Sequence, residues 1–118
     1  MLRHLKYGTT ERDWFHRSLN EARNDPIGLW AMVRAGRAGF GLSDGLLERF
    51  VFDFVLTLLQ GGAMPVMGDR TRASGWRAVY EYGQDHELAA RTIVQEWKDA
   101  KGDPDEEGLW FAFPDVYE

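Results

Sequence analysis

The 118-residue chain contains no cysteine, which excludes disulfide bonds, cysteine-ligated zinc or iron–sulfur centres and a thiol nucleophile. Its first eight residues include Arg3, His4 and Lys6, and no apolar stretch follows them, so no signal peptide is expected. The most apolar run, 46–59, is short and interrupted by charged residues, which predicts that it does not cross a bilayer. We therefore expect a cytoplasmic protein that does not bind membranes.

The motifs of common catalytic and cofactor sites are also missing. His86 and Glu87 begin the pattern H-E-x-x-H, but Ala90 occupies the position of the second metal ligand. The glycines of 36–41 follow a predicted helix rather than a strand, so they do not predict a phosphate cradle. The carboxylates of 103–108 lack the alternating spacing of a calcium loop. We therefore expect no metal, no cofactor and no catalytic residues, although a site assembled from distant residues stays open.

Composition and length are those of an ordinary globular protein. Hydrophobic residues make up 44% of the chain and charged residues 28%, which is typical of a folded domain with one core. A chain of this length predicts a single domain over 1–118.

The charge is negative and unevenly distributed. Fourteen basic and nineteen acidic residues give a net charge of −5, which disfavours nucleic acid as a partner because its phosphates would be repelled. Residues 1–49 carry a net charge of +2 and residues 50–118 one of −7. No basic residue follows Lys101. This acidic end is either a solvated surface that aids solubility or a patch that attracts a basic partner.

Helix-capping residues and apolar spacing predict two helices in the first third of the chain. Thr10 is suited to cap a helix that ends near Asn24, with Glu11 and Asp13 in its first turn. Asp25 would cap a second helix with Pro26 at its first position, and the glycines of 36–41 would end it.

The strongest helix signal lies over about 44–60. Apolar residues recur there at spacings of three and four on nearly every face, which is typical of a helix packed on several sides in the centre of a core. Ser43 or Asp44 would cap this helix, and Asp85 would cap a later one from His86 to about Lys101.

The remaining segments give weaker signals. Residues 63–67 predict an edge strand or an extended link because they contain Pro65. Residues 76–82 fit a helix or a strand, and we favour a helix. Residues 109–113 predict a short strand ended by Pro114. The predicted fold class is mainly α, with about four or five helices around a central apolar helix (about 44–60), and a small two-stranded piece from about 63–67 and 109–113 as an option.

Trp110 differs from the other four tryptophans because it follows the acidic turn directly. Strand alternation would send Trp110 and Ala112 to one face, and Leu109, Phe111 and Phe113 to the other. Trp110 is then either a core residue or a partly exposed aromatic surrounded by carboxylates, which is typical of an interaction hot spot. The candidate partner-binding residues are Asp103, Asp105, Glu106, Glu107, Trp110 and Asp115.

Three segments carry a resemblance to a known family. They are the helix beginning Asp44-Gly45-Leu46-Leu47-Glu48-Arg49-Phe50 and closing on Gly61-Gly62, the later helix ending in Glu96-Trp97, and the terminal Gly108-Leu109-Trp110-Phe111-Ala112-Phe113-Pro114-Asp115. Together, over residues 44–118, they resemble small bacterial immunity-type proteins encoded beside polymorphic or contact-dependent toxins.

The resemblance implies a protein that binds a cognate toxin and needs no catalytic residue. Since many such toxins are basic nucleases, an acidic inhibitor would gain fast association and would cover the nucleic-acid site. Two other classes stay open: a homo-oligomeric structural or adaptor domain, suggested by 16 aromatic residues, and a small enzyme whose site is not visible in the sequence.

Overall fold

The computed structural model describes residues 2–118 and is dominated by helices. The elements in chain order are α1 (Glu11–Ala22), β1 (Ile27–Gly28), α2 (Leu29–Arg34), α3 (Asp44–Gln60), β2 (Met64–Gly68), β3 (Trp76–Ala78), α4 (His86–Asp99), β4 (Trp110–Ala112) and α5 (Pro114–Tyr117). A π-helical turn, Ala35–Gly39, continues α2. Within residues 2–118, no helix combines the length and the apolar character needed to cross a membrane.

Helix α3 is the centre of the main core, as its sequence predicted. Seven of its apolar side chains are buried: Leu47, Phe50, Val51, Phe54, Val55, Leu58 and Leu59. They pack with residues of α1, α2, α4 and β4, and Phe111 of β4 is fully buried among them. Burial on several sides explains why the apolar residues of α3 are not confined to one stripe.

Two helix starts follow the predicted capping chemistry. The Thr10 hydroxyl accepts a hydrogen bond from the Asp13 N–H at 3.2 Å, and the Asp85 carboxylate accepts one from the Leu88 N–H at 3.0 Å. These bonds satisfy backbone donors that a helix leaves free at its first turn. At the start of α3, Ser43 occupies the cap position but its side chain makes no capping hydrogen bond.

The sheet is larger than the sequence predicted. The two expected strands exist and pair antiparallel, with Met64 opposite Ala112 and Pro65 opposite Phe111. Two further strands join them, so that the sheet has four antiparallel strands in the order β1-β4-β2-β3. The predicted two-stranded piece is therefore the middle of a four-stranded sheet.

The predicted start of the second helix is wrong. Residues Ile27 and Gly28 form β1 and pair with Phe111 and Trp110, and α2 begins at Leu29. Proline at a first helical position was a local signal, whereas pairing with a strand more than 80 residues away is a tertiary effect that overrides it. The helix also runs past Gly36, because the π-helical turn carries it to Gly39.

Two further predictions need correction. Residues 76–78 form a strand rather than the favoured helix, because they pair with β2. Strand β2 is an interior strand rather than an edge, despite Pro65. The Pro65 carbonyl accepts a hydrogen bond from Val79 N at 2.9 Å, on the side of β3. Proline has no N–H, and the N–H of another residue at position 65 would face the same side, just beyond the end of β3 at Ala78. The sheet therefore loses little hydrogen bonding to the proline.

Candidate functional site

One face of the sheet packs against α3. The opposite face, which we call the outer sheet face, carries a small apolar cluster of its own. Antiparallel register places Gly28, Trp110, Val66 and Ala78 side by side across the four strands. Val66, Ala112 and Tyr117 are buried in this cluster, with partly buried residues packed around them. Helix α5 covers part of this face through Val116 and Tyr117, and the rest is only partly buried.

Three tryptophans form a row on the outer sheet face. The Trp110 ring lies between those of Trp30, with centroids 6.4 Å apart, and Trp76, with centroids 5.3 Å apart. All three side chains are partly exposed. We call Trp30, Trp76 and Trp110 the tryptophan row. Partly exposed, mutually packed aromatic side chains are the residue type most enriched at the energetic centres of protein interfaces.

Gly28 leaves room for the rings of Trp30 and Trp110 to pack together at the β1 edge of the sheet. A Cβ atom at this position would lie 2.5 Å from the Trp30 ring and 3.3 Å from the Trp110 ring. Because atoms cannot approach so closely, any larger residue would push the two indoles apart. The tryptophan row therefore depends on a glycine that the sequence did not single out.

The acidic loop, residues 103–107, lies beside Trp110. The indole N–H of Trp110 donates to the Glu106 carbonyl at 2.8 Å. Within the loop, the Asp105 carboxylate accepts from the Glu107 N–H at 3.0 Å, and the Asp105 carbonyl accepts from Gly108 N at 3.1 Å. These bonds hold the loop in one shape and leave the side chains of Glu106 and Glu107 exposed to solvent.

Asp103 differs from the other predicted site residues because its charge is already paired. Its two carboxylate oxygens lie 3.1 Å from the Arg37 guanidinium nitrogens, and the Trp97 indole N–H donates to it at 3.4 Å. Both charged side chains are about half exposed. Asp103 thus ties the acidic loop to the π-helical turn and is the least available carboxylate of the group.

Asp115 lies on α5, the helix that covers part of the outer sheet face. Its neighbours Val116 and Tyr117 pack into the outer cluster, and the Ser74 hydroxyl donates to the Tyr117 carbonyl at 2.9 Å. Burial raises the pKa of the Tyr117 phenol. The Asp115 side chain is exposed. The structure thus brings Trp110, the acidic loop and α5 to one side of the molecule.

The Trp76 end of the tryptophan row lies beside a loop that carries two arginines. The loop between β2 and β3 carries Arg70 and Arg72 next to the strand that bears Trp76. Arg72 forms an ion pair with Asp69 at 3.6 Å, and hydrogen bonds from Thr71 lower the pKa of Asp69. The Trp76 end therefore carries charges of both signs, since α5 with Asp115 also packs against β3.

A further cavity lies where the end of α3 and strand β2 meet the start of α4. It has a volume of about 630 Å³ and is lined mostly by apolar side chains, with Tyr80, Gln84 and His86 at its polar side. Within residues 2–118, no three histidine, aspartate or glutamate side chains are arranged to hold a metal ion. His86 and Glu87 open α4, as their position after the Asp85 cap predicted.

Compared with models of protein families, with curated proteins and with solved structures, the chain matches none of them. The outer sheet face is therefore interpreted from its own chemistry.

Proposed function

We propose that the protein is an immunity protein that binds a basic toxin through its outer sheet face and blocks the toxin by covering its active surface. The observation that carries the proposal is the position of two exposed carboxylates, Glu106 and Glu107, next to the tryptophan row. Apolar anchors beside unpaired charge of one sign are what an interface with an oppositely charged protein requires.

The available surface is large enough for such a complex. A stable interface covers about 800 Å² on each partner. The whole molecule exposes 7284 Å², so roughly a ninth of it would be needed. The tryptophan row, the acidic loop and α5 supply an apolar centre with a charged rim, which is the usual anatomy of a protein interface.

Charge would act mainly on the rate of association. Glu106 and Glu107 form no ion pair within residues 2–118, so their field is not cancelled by a neighbouring cation. An uncancelled acidic patch accelerates encounter with a basic protein, and salt weakens this effect.

The test is binding of the product of the neighbouring toxin gene, measured at low salt and at about 0.5 M salt. We expect a stoichiometric complex whose association slows at high salt. The double variant Glu106→Lys, Glu107→Lys should associate at least tenfold more slowly at low salt. The control is Glu87→Lys with Asp99→Lys on α4, which makes the same change in net charge on a helix that packs against α3. The absence of a complex at both salt concentrations, or equal rates for the two double variants, would overturn the proposal.

A second candidate function uses the same surface. Because the tryptophan row is an exposed apolar strip, it also suits association between two copies of the chain. Sedimentation at micromolar concentration distinguishes the two functions. A dimer that Trp110→Ala converts to monomer would favour a homo-oligomeric domain, whereas a monomer would remove this candidate.

A further inference from the structure

A second feature of the tryptophan row is a pocket at its β1 end, between α1, β1 and α2. The pocket has a volume of about 310 Å³, and its walls include Trp14, Trp30 and Trp110. Phe54 of the main core lies at its floor, and Glu21 of α1 lies at its exposed side. We call it the tryptophan pocket. Its volume is at the small end of the range for ligand sites, which suits one side chain rather than a cofactor.

The electrostatics of the tryptophan pocket favour a cation. The faces of tryptophan rings attract positive charge through their quadrupole. Glu21 contributes a carboxylate that forms no ion pair within the described residues. Glu21 also lies in the last turn of α1, which has no basic residue.

One polar atom of this pocket is unsatisfied. Within residues 2–118, Trp30 Nε1 is a buried donor without a hydrogen-bond partner, an arrangement that is destabilising and rare in folded proteins. The atom faces Gly28, where solvent does not reach it. Because Trp30 lines the pocket, its indole N–H signal reports the entry of a ligand.

We infer that the tryptophan pocket receives an arginine side chain of the protein partner. The planar guanidinium stacks on an indole face while its N–H groups donate to the Glu21 carboxylate. Arginine suits the site better than lysine because its planar, delocalised charge both stacks and donates in a fork. The inference rests on the proposed function, since a basic partner is what would supply the arginine.

The test uses a small probe instead of the toxin. Arginine blocked at both ends as an N-acetyl amide is titrated into the ¹⁵N-labelled protein, and the five indole N–H signals are followed. The Trp30 signal is assigned by its loss in Trp30→Phe. We expect a saturable shift of the Trp30 signal at millimolar probe. The equally blocked citrulline, which has the same shape without the charge, should produce no saturable shift.

Two variants test the carboxylate. Glu21→Gln should weaken binding of the arginine probe about threefold to tenfold. Because Glu21 is exposed, the variant should keep its fold, and unchanged signals elsewhere in the spectrum check this. Asp25→Asn removes the same charge from the neighbouring turn and should leave binding unchanged. An equal response to citrulline, no saturable shift, or an unchanged affinity in Glu21→Gln would overturn the inference.

The outcome is independent of the toxin experiment. Failure of the arginine probe together with a toxin complex that depends on Glu106 and Glu107 would remove the arginine pocket and leave the proposed function standing. Binding of the probe without a toxin complex would remove the proposed function and keep a cation site.

Discussion

The two faces of the sheet are built from alternate residues of the same strands, yet they differ in what covers them. Phe111 points towards α3 and is fully buried in the main core. Trp110, its neighbour in β4, points to the outer face and is covered only in part. The inner face is closed by long helices, whereas the outer face has the four residues of α5. The inner face therefore holds the fold together, and the outer face keeps part of its apolar surface exposed.

The largest expected effect is the contrast between Phe111→Ala and Trp110→Ala. Loss of a fully buried phenylalanine should lower the free energy of unfolding by about 3–5 kcal/mol. Loss of the partly exposed tryptophan should lower it by about 1–2 kcal/mol, because part of that ring is already in water. Urea denaturation measures both. Equal losses would mean that the outer cluster is as much a part of the core as the inner one.

An intermediate effect is expected for Gly28→Ala. Its Cβ would lie 2.5 Å from the Trp30 ring, so the ring must move, at a cost of about 1–3 kcal/mol. Near-ultraviolet circular dichroism should show the displaced indole. The matched control is Gly68→Ala in β2, where a Cβ would meet no atom within 4 Å. A change in stability no greater in Gly28→Ala than in Gly68→Ala would contradict the close packing of the tryptophan row.

The smallest expected effect is on the pH dependence of stability. The two residues compared are Tyr82, beside the main core, and Tyr117, in the outer cluster. Burial and a 2.6 Å hydrogen bond to Glu96 raise the pKa of the Tyr82 phenol. A raised pKa in the folded state means that the contribution to stability is fully present below the ordinary tyrosine pKa of about 10 and is lost as the pH rises above it.

Ultraviolet titration of the tyrosines measures this effect. Tyr82→Phe should remove one phenol that ionises above the ordinary range, while Tyr117, whose pKa is raised by burial, still ionises late. Glu96→Gln should lower the pKa of Tyr82 because it removes the negatively charged carboxylate that accepts a hydrogen bond from the phenol. A titration curve of Glu96→Gln identical to that of the unchanged protein would show that burial alone sets the pKa.

The sequence predicted helices better than strands. Helices α1, α3 and α4 follow from capping residues and apolar spacing, which are local properties of neighbouring residues. Strands β1 and β3 have two and three residues, and the residues of 76–82 fitted a helix as well as a strand. Both strands exist because β4 and β2 lie beside them. Pro26 and Pro65 were misleading for the same reason, since each was judged by its own segment and not by its partner strand.

The candidate site was predicted in part. Alternation along β4 correctly separated Trp110 and Ala112 from Phe111, and the acidic run indicated the loop beside them. The ion pair between Asp103 and Arg37 joins positions 66 residues apart, and the sequence contains no sign of it. The sequence did not place Trp30 or Trp76 beside Trp110: Trp76 lies there because β3 pairs with β2, and Trp30 because α2 follows β1 directly.

The sequence by itself determined the central helix, the caps of α1 and α4, the strand nature of 109–113 and the acidic character of the chain's last third, because each depends on residues close together in the chain. Only the tertiary structure decided the four-stranded sheet, the tryptophan row and the pocket beside Glu21. These features depend on antiparallel pairing between distant segments, and the free energy of such pairing comes from surfaces that meet only after the chain has folded.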